Sequence, residues 1–190
     1  MRIIAGAYRG RQIRTTGGPG YRPATGKIRE SVFSMLESLG VSWPQTNVAD
    51  IFAGSGSLGI EALSRGASSV VFVEKAGCAA ALIRTNLELL QVRRERWSLV
   101  KGDALHWLGS TESRGPYGLV FIDPPYGQDL LLPAVRLLVA REKLQPEGLI
   151  CAEVEASLPL AESPHPILDP IRNKVYGQTR ICIWGLKKSA

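Results

Sequence analysis

Apolar residues recur at two spacings along this chain, and the switch between them predicts most of its elements. From Asn47 onward, short apolar runs alternate with stretches of helical period. NVADIF, SVVFVE, WSLVKGD, GLVFID and GLICAEVE read as strands. Between them, SLGIEALSRG reads as a helix closed by Gly66, and AGCAAALIRTNLELLQV as one that turns Ala80, Ile83, Leu87 and Leu90 inward. A short segment around ALHWL and a helix over DLLLPAVRLLVAREKL complete the alternation. Repeated strand–helix–strand units predict an α/β fold with a mostly parallel sheet and helices on both faces. NKVYG and TRICIWGL leave no room for a helix between them and predict a closing antiparallel hairpin, the last two of seven strands.

The start of the chain follows a different pattern. RIIAG and RQIRTT, separated by AYRGR, predict an N-terminal β-hairpin, and GGPGYRP predicts a loop. A helix is expected from about Thr25 as N-cap, with Ile28, Val32, Met35, Leu36 and Leu39 on one face and Gly40 at its end. The proline-rich SLPLAESPHPILDP is expected to cross the surface as a loop.

Composition adds boundaries rather than detail. With 190 residues, 45% apolar and 21% charged, the chain is expected to form one globular unit. Its longest apolar stretch, LLLPAVRLLVA, is interrupted by Pro133 and Arg136 and is shorter than the roughly 18 residues of a membrane span. No signal-peptide segment opens the sequence. Cys78, Cys151 and Cys182 are widely spaced, which favours small buried hydrophobes in a reducing cytoplasm over a disulfide or a metal site. Neither His106 nor His165 belongs to a ligand cluster, so no metal is expected.

Charge is informative through its placement. Seven basic residues and no acid precede Glu30, leaving 16 basic against 17 acidic residues in the remainder. The whole excess of +6 therefore sits at one end, as expected of a segment that meets a polyanion.

Two motifs carry the chemistry. In ADIFAGSGSLGIEAL, Gly54, Gly56 and Gly59 follow a strand and open a helix, allowing a tight turn and close approach of a nucleoside cofactor. Glu74, 20 residues after Gly54, ends the next strand, where a carboxylate can take both ribose hydroxyls. Asp50 would oppose a pyrophosphate but suits an ammonium, which favours S-adenosylmethionine over a nicotinamide cofactor. Asp103 and the N–H of Ala104 are candidates for the adenine ring, with helix capping as the competing role of Asp103.

The second motif is FIDPPY. Consecutive prolines end a ladder, so Asp123, Pro124, Pro125 and Tyr126 are expected to form a stiff corner at a strand end. The Asp123 carboxylate and the Pro124 carbonyl can each accept one N–H of a nucleobase amine, freeing its lone pair. Tyr126 offers a face for a flipped base.

RIIAGAYRGRQI, RPATGKIRESVFSML, DIFAGSGSLGIEALSRGA, FIDPPY and VYGQTR together resemble, in order, the blocks of the bacterial 16S rRNA guanine-N2 methyltransferases. That resemblance implies a Rossmann-like class I methyltransferase fold, with an RNA-contacting extension over residues 1–40 and a catalytic unit over 41–190. It implies methylation of a guanine N2 in 16S rRNA or a small-subunit assembly intermediate, by a cytoplasmic monomer. Asp50, Phe52, Ala53, Gly54, Ser55, Gly56, Gly59, Glu74, Lys75, Asp103 and Ala104 would line the cofactor. Residues 123–126 would hold the base, and Arg9, Arg11, Arg14, Arg22 and Lys27 would contact RNA. Ala24 departs from the threonine expected after the proline of RPAT. An amino-methyltransferase acting on DNA adenine or another RNA base and a non-catalytic rRNA assembly factor are the rival readings.

Overall fold

The computed structural model describes residues 1–15 and 26–187. Its apolar runs pair as parallel strands: β1 Asn47–Ile51, β2 Ser69–Glu74, β3 Trp97–Lys101, β4 Tyr117–Ile122 and β5 Leu144–Glu155. The expected hairpin, β6 Leu168–Tyr176 and β7 Thr179–Leu186, extends the sheet, with β7 antiparallel to both of its neighbours. The strand order is β3-β2-β1-β4-β5-β7-β6. It reverses between β1 and β4, which is where an open α/β sheet leaves a crevice beyond its carboxyl ends.

Among the described residues, five α-helices cover the two faces: α1 Gly26–Ser38, α2 Ser57–Arg65, α3 Gly77–Leu89, α4 Ala104–Gly109 and α5 Leu131–Ala140. Under α1, α2 and α3, the buried Phe33, Leu36, Ile60, Leu63, Ile83 and Leu87 meet Val48, Phe72 and Phe121 of the strands. Under α4 and α5, Trp107, Leu108 and Leu138 meet Ile51, Ile122 and Trp184. Phe33 ties α1 to the sheet, its ring centroid 5.4 Å from Trp43 and 5.8 Å from Phe121.

Local signals act where they were expected. Gly66 adopts φ +111 and caps α2 by donating to the Ala62 and Leu63 carbonyls. Pro133 falls in the first turn of α5, where a missing N–H breaks no helical bond. The end of the proline-rich stretch is strand rather than loop, because β6 is an edge strand and tolerates Pro170, with a register shift between Pro170 and Arg172. Cys151 and Cys182 are buried as expected, whereas Cys78 is exposed near the start of α3.

The N-terminal hairpin is narrower than its sequence suggests, with one antiparallel bridge between Arg2 and Gln12. Bonds from Ile3 N–H to the Arg11 carbonyl (3.0 Å) and from Ile13 N–H to the Met1 carbonyl (2.8 Å) flank that bridge. The tip closes on itself through bonds such as Arg9 N–H to the Gly6 carbonyl (3.1 Å), and it also pairs with α2. Ile4 and Ala5 donate their N–H groups to the buried Glu61 carboxylate at 2.8 and 3.0 Å. Ala7 donates to the Ser64 carbonyl at 2.7 Å, and Tyr8 to the Ser64 hydroxyl at 3.0 Å. Thr25, the expected N-cap, lies outside the described residues, as do Ala24 and the whole GGPGYRP loop with Arg22.

Candidate active site

The carboxyl ends of β1, β2, β3 and β4 gather both motifs at one edge of the sheet. Asp50 on β1 is paired in register with Phe72 of β2 and Phe121 of β4, and the next pairings place Ile51 beside Ile122. The corner at residues 123–126 therefore begins directly beside the glycine loop.

The chain leaves β1 through Phe52 at φ +65, an unusual conformation for a bulky residue, and continues through Gly54 at +55 and Gly56 at +76. Gly59 is a packing glycine, since a Cβ there would stand 2.3 Å from the Phe72 ring. Its N–H donates to Asp50 Oδ2 at 2.9 Å, so the first turn of α2 is held by the same carboxylate that faces the loop. Ser55 is buried, and its carbonyl lies 3.5 Å from Asn86 Nδ2.

Glu74 closes β2 with its carboxylate turned back on the loop, accepting Gly54 N–H and Ala76 N–H, each at 2.7 Å. Ionised, it has lone pairs left for further donors. Asp103 caps α4 by accepting from Leu105 and His106 at 3.0 and 3.1 Å, and Lys75 Nζ stands 3.4 Å from its other oxygen. These hydrogen bonds hold the Asp103 carboxyl below its ordinary range, that from His106 most of all. The loop's strained, glycine-built turn and the unsaturated carboxylates at Asp50 and Glu74 fit a nucleoside carrying an ammonium group.

Beyond β4, Asp123 is partly accessible and Pro124 is buried. Among the described residues no N–H donates to the Pro124 carbonyl. Tyr126 is 46% exposed, and its hydroxyl lies 3.2 Å from Thr179 Oγ1 in β7, which holds the ring at the rim.

A third acid in this cleft had no signal in the sequence. Ile122 pairs with Ala152, so the next residue of β5, Glu153, lies abreast of Asp123. Glu153 is 6% exposed, and burial pushes its carboxyl up to about 7. Asp50 is pushed up to about 7 by burial and further by the charge of Glu74, partly offset by the Gly59 N–H. Burial, followed by Glu153 and Asp50, raises the Asp123 carboxyl well above the usual range. The charge of these three acids is disfavoured chiefly by burial, and a ligand bringing positive charge and N–H donors into the cleft would favour their ionised forms.

The basic residues divide into two groups. Arg2, Arg9, Arg14 and Lys27 are exposed, and Arg2, Arg9 and Lys27 line a groove of about 810 Å³ between the arm and α1. Arg11 directs its guanidinium to the carbonyls of Leu89 (2.5 Å) and Leu90 (3.3 Å). Arg29 is buried, donating to the Arg2 carbonyl at 2.9 Å. Folding also brings Arg172 and Lys174 of β6 alongside Lys27, across a second groove of about 560 Å³. A further cavity, of about 590 Å³ and lined by Asn47, Trp97 and Tyr117, opens at the opposite ends of the strands and holds none of the expected site residues.

A family model described as "Conserved hypothetical protein 95" matches residues 1–185. The chain is 36% identical over 160 residues to the Ribosomal RNA small subunit methyltransferase D of Haemophilus influenzae, covering 84% of this chain and 81% of that one. To the Escherichia coli protein of the same name it is 35% identical over 180 residues, covering 94% and 86%. Among solved structures, yhhF of Escherichia coli superposes with a TM-score of 0.84 at 31% identity, covering 100% of this chain and 99% of that one. A ribosomal protein L11 methylase from Lactobacillus delbrueckii shares the fold, with a TM-score of 0.71 at 20% identity over 90% of this chain and 83% of its own.

Proposed function

This chain belongs to the family described as conserved hypothetical protein 95, and from that membership we propose that it is a 16S rRNA methyltransferase. The reaction we assign is transfer of a methyl group from S-adenosylmethionine to the exocyclic N2 of one guanine, by a cytoplasmic monomer. One observation carries this reading. The partly accessible Asp123 and the unclaimed carbonyl of the buried Pro124 follow β4 beside the glycine loop, where the strand order reverses.

S-adenosylmethionine, when bound, supplies an electrophilic methyl group on a sulfonium. Asp50 would meet its ammonium, the lone pairs left on Glu74 its ribose hydroxyls, and Asp103 with the Ala104 N–H its adenine. Phe52, Ala53, Ser55 and Lys75 would border the same pocket.

The chain's own contribution to the base is orientation. The lone pair of a guanine amine is delocalised into the ring and points at nothing useful. With one N–H accepted by Asp123 and the other by the Pro124 carbonyl, the nitrogen turns its lone pair out of the ring plane. Tyr126, tethered to Thr179, presents a ring for stacking, worth about 1–3 kcal/mol per base. After transfer the nitrogen sheds a proton, and Asp123, with its raised proton affinity, is an acceptor in reach.

Residues 1–40 form the RNA-contacting part in this reading, with 41–190 as the catalytic unit. Arg2, Arg9, Arg14 and Lys27 supply phosphate contacts, extended by Arg172 and Lys174. Arg11 serves chiefly to hold the arm against α3. Asp123→Ala is expected to lower methyl incorporation into rRNA by roughly 10²-fold or more while cofactor affinity stays near wild type. Parallel loss of transfer and cofactor binding would count against the role given to Asp123.

A further inference from the structure

Glu153 has no part in the scheme above, yet its place in the fold is unusual. It is buried at the carboxyl edge of β5, abreast of Asp123, and the Tyr126 hydroxyl and the Cys151 thiol both feel its charge. Among the described residues no donor bonds to its carboxylate and no cation pairs with it. Burial disfavours the charge of such an acid, while its carboxyl oxygens are not among the fully enclosed unpartnered atoms and so stay within reach of the cleft. The missing partner belongs to whatever fills the cleft.

The chemistry of the nucleobases identifies that partner. Adenine, cytosine and guanine all carry an exocyclic amine. Beside the amine of adenine or cytosine, the ring nitrogen on the Watson–Crick edge is a bare acceptor. Beside the amine of guanine it is N1–H, a donor. A carboxylate one step from the residues that hold the amine therefore accepts from guanine and repels the other two.

We propose that Glu153 is the specificity residue of this site, its carboxylate accepting the N1–H of the guanine whose amine Asp123 and Pro124 hold. This rests on the guanine-N2 reading given above. A buried acceptor left unpaired by the wrong base discriminates by on the order of 10⁴-fold, far more than pocket shape alone.

The test uses the full chain and small-subunit rRNA carrying either guanine or 2-aminopurine at the mapped target position. 2-Aminopurine keeps the C2 amine but has a bare N1. Wild type is expected to prefer guanine in kcat/KM by on the order of 10³-fold or more. Glu153→Gln, whose amide can donate to a bare N1, is expected to shrink that preference by about tenfold or more, with S-adenosylhomocysteine binding retained. The O6 that 2-aminopurine also lacks is missing for both proteins and cancels in the comparison. Equal use of both bases by wild type, an unchanged preference in Glu153→Gln, or an equal loss of rate on both bases would each overturn the assignment. Glu153→Asp, which keeps the charge, covers the case in which the amide variant misfolds. It is expected to work more slowly on guanine and still reject 2-aminopurine, and acceptance of both would also overturn the proposal. If wild type labels some base other than guanine, or none, the guanine-N2 reading itself fails, and the labelled base tells the two failures apart.

Discussion

Gly59 shows how one position can look like a ligand contact and serve packing. It is the third glycine of a cofactor-loop pattern, yet it sits where α2 crosses β2, and an added methyl would stand 2.3 Å from Phe72 Cε1 and 2.9 Å from Val70. Phe72 is fully buried and cannot swing away. Gly59→Ala is therefore expected to cost about 1–3 kcal/mol in urea melts, with partial recovery when Phe72→Leu is added. Normal stability with lost cofactor binding would return Gly59 to the ligand. Gly54 and Gly56 differ from it, because their positive φ values serve the turn itself. The residue types and spacing of the loop were legible in the sequence. Which glycine serves the helix and which the turn depends on what lies opposite each, and Phe72 is thirteen residues away along the chain.

At the scale of elements, the N-terminal arm behaves as an added layer on α2. Two polar residues of that helix, Glu61 and Ser64, are buried because they satisfy the N–H groups of Ile4, Ala5, Ala7 and Tyr8 through side chain and backbone. The far end of the arm is held by Asn86 of α3, which accepts from the Arg14 N–H and donates to the Arg14 carbonyl, each at 2.9 Å. The same amide reaches the Ser55 carbonyl, so arm and cofactor loop share one anchor. Gly6 sits at the closest approach, with φ +83 and room for no Cβ, since one would fall 1.8 Å from the Ser64 carbonyl oxygen. Gly6→Ala is expected to lift the arm from α2, costing more than about 1 kcal/mol and opening residues 1–15 to protease, with the sheet still folded. An arm as resistant as in wild type would contradict this packing. Helical period put Glu61 and Ser64 on a helix. It did not identify them as anchors, because their partners are backbone groups whose positions no side-chain pattern records.

Across the whole molecule, the acids of the cleft tie stability to pH. Asp50 and Glu153 have ordinary values of 3.8 and 4.5 and titrate near 7 when folded, chiefly through burial. The folded state thus holds these protons more tightly than the unfolded chain, and stability falls as pH rises through this window. Their contribution is fully present below about pH 4 and lost by the time pH has passed about 7. Asp50→Asn keeps an acceptor for the Gly59 N–H and removes the charge. In thermal melts without cofactor it is expected to match wild type near pH 4 and exceed it at pH 8 by up to about 4 kcal/mol. Parallel curves for the two proteins would show that Asp50 is not the source of the dependence.

The sequence by itself determined the alternation of elements, the closing hairpin, the glycine turn and the proline corner. These follow from residue period and from backbone preferences, which act over a few positions and leave a local trace. Tertiary structure alone decided that Glu153 stands beside Asp123, that Arg29 is buried while Arg172 and Lys174 join Lys27 at one groove, and that Glu61 fastens the arm. Each is an adjacency between segments far apart in the chain. An acid alternating with apolar residues in a strand reads the same whether it faces water or a cleft, and only the neighbouring strand tells the two apart.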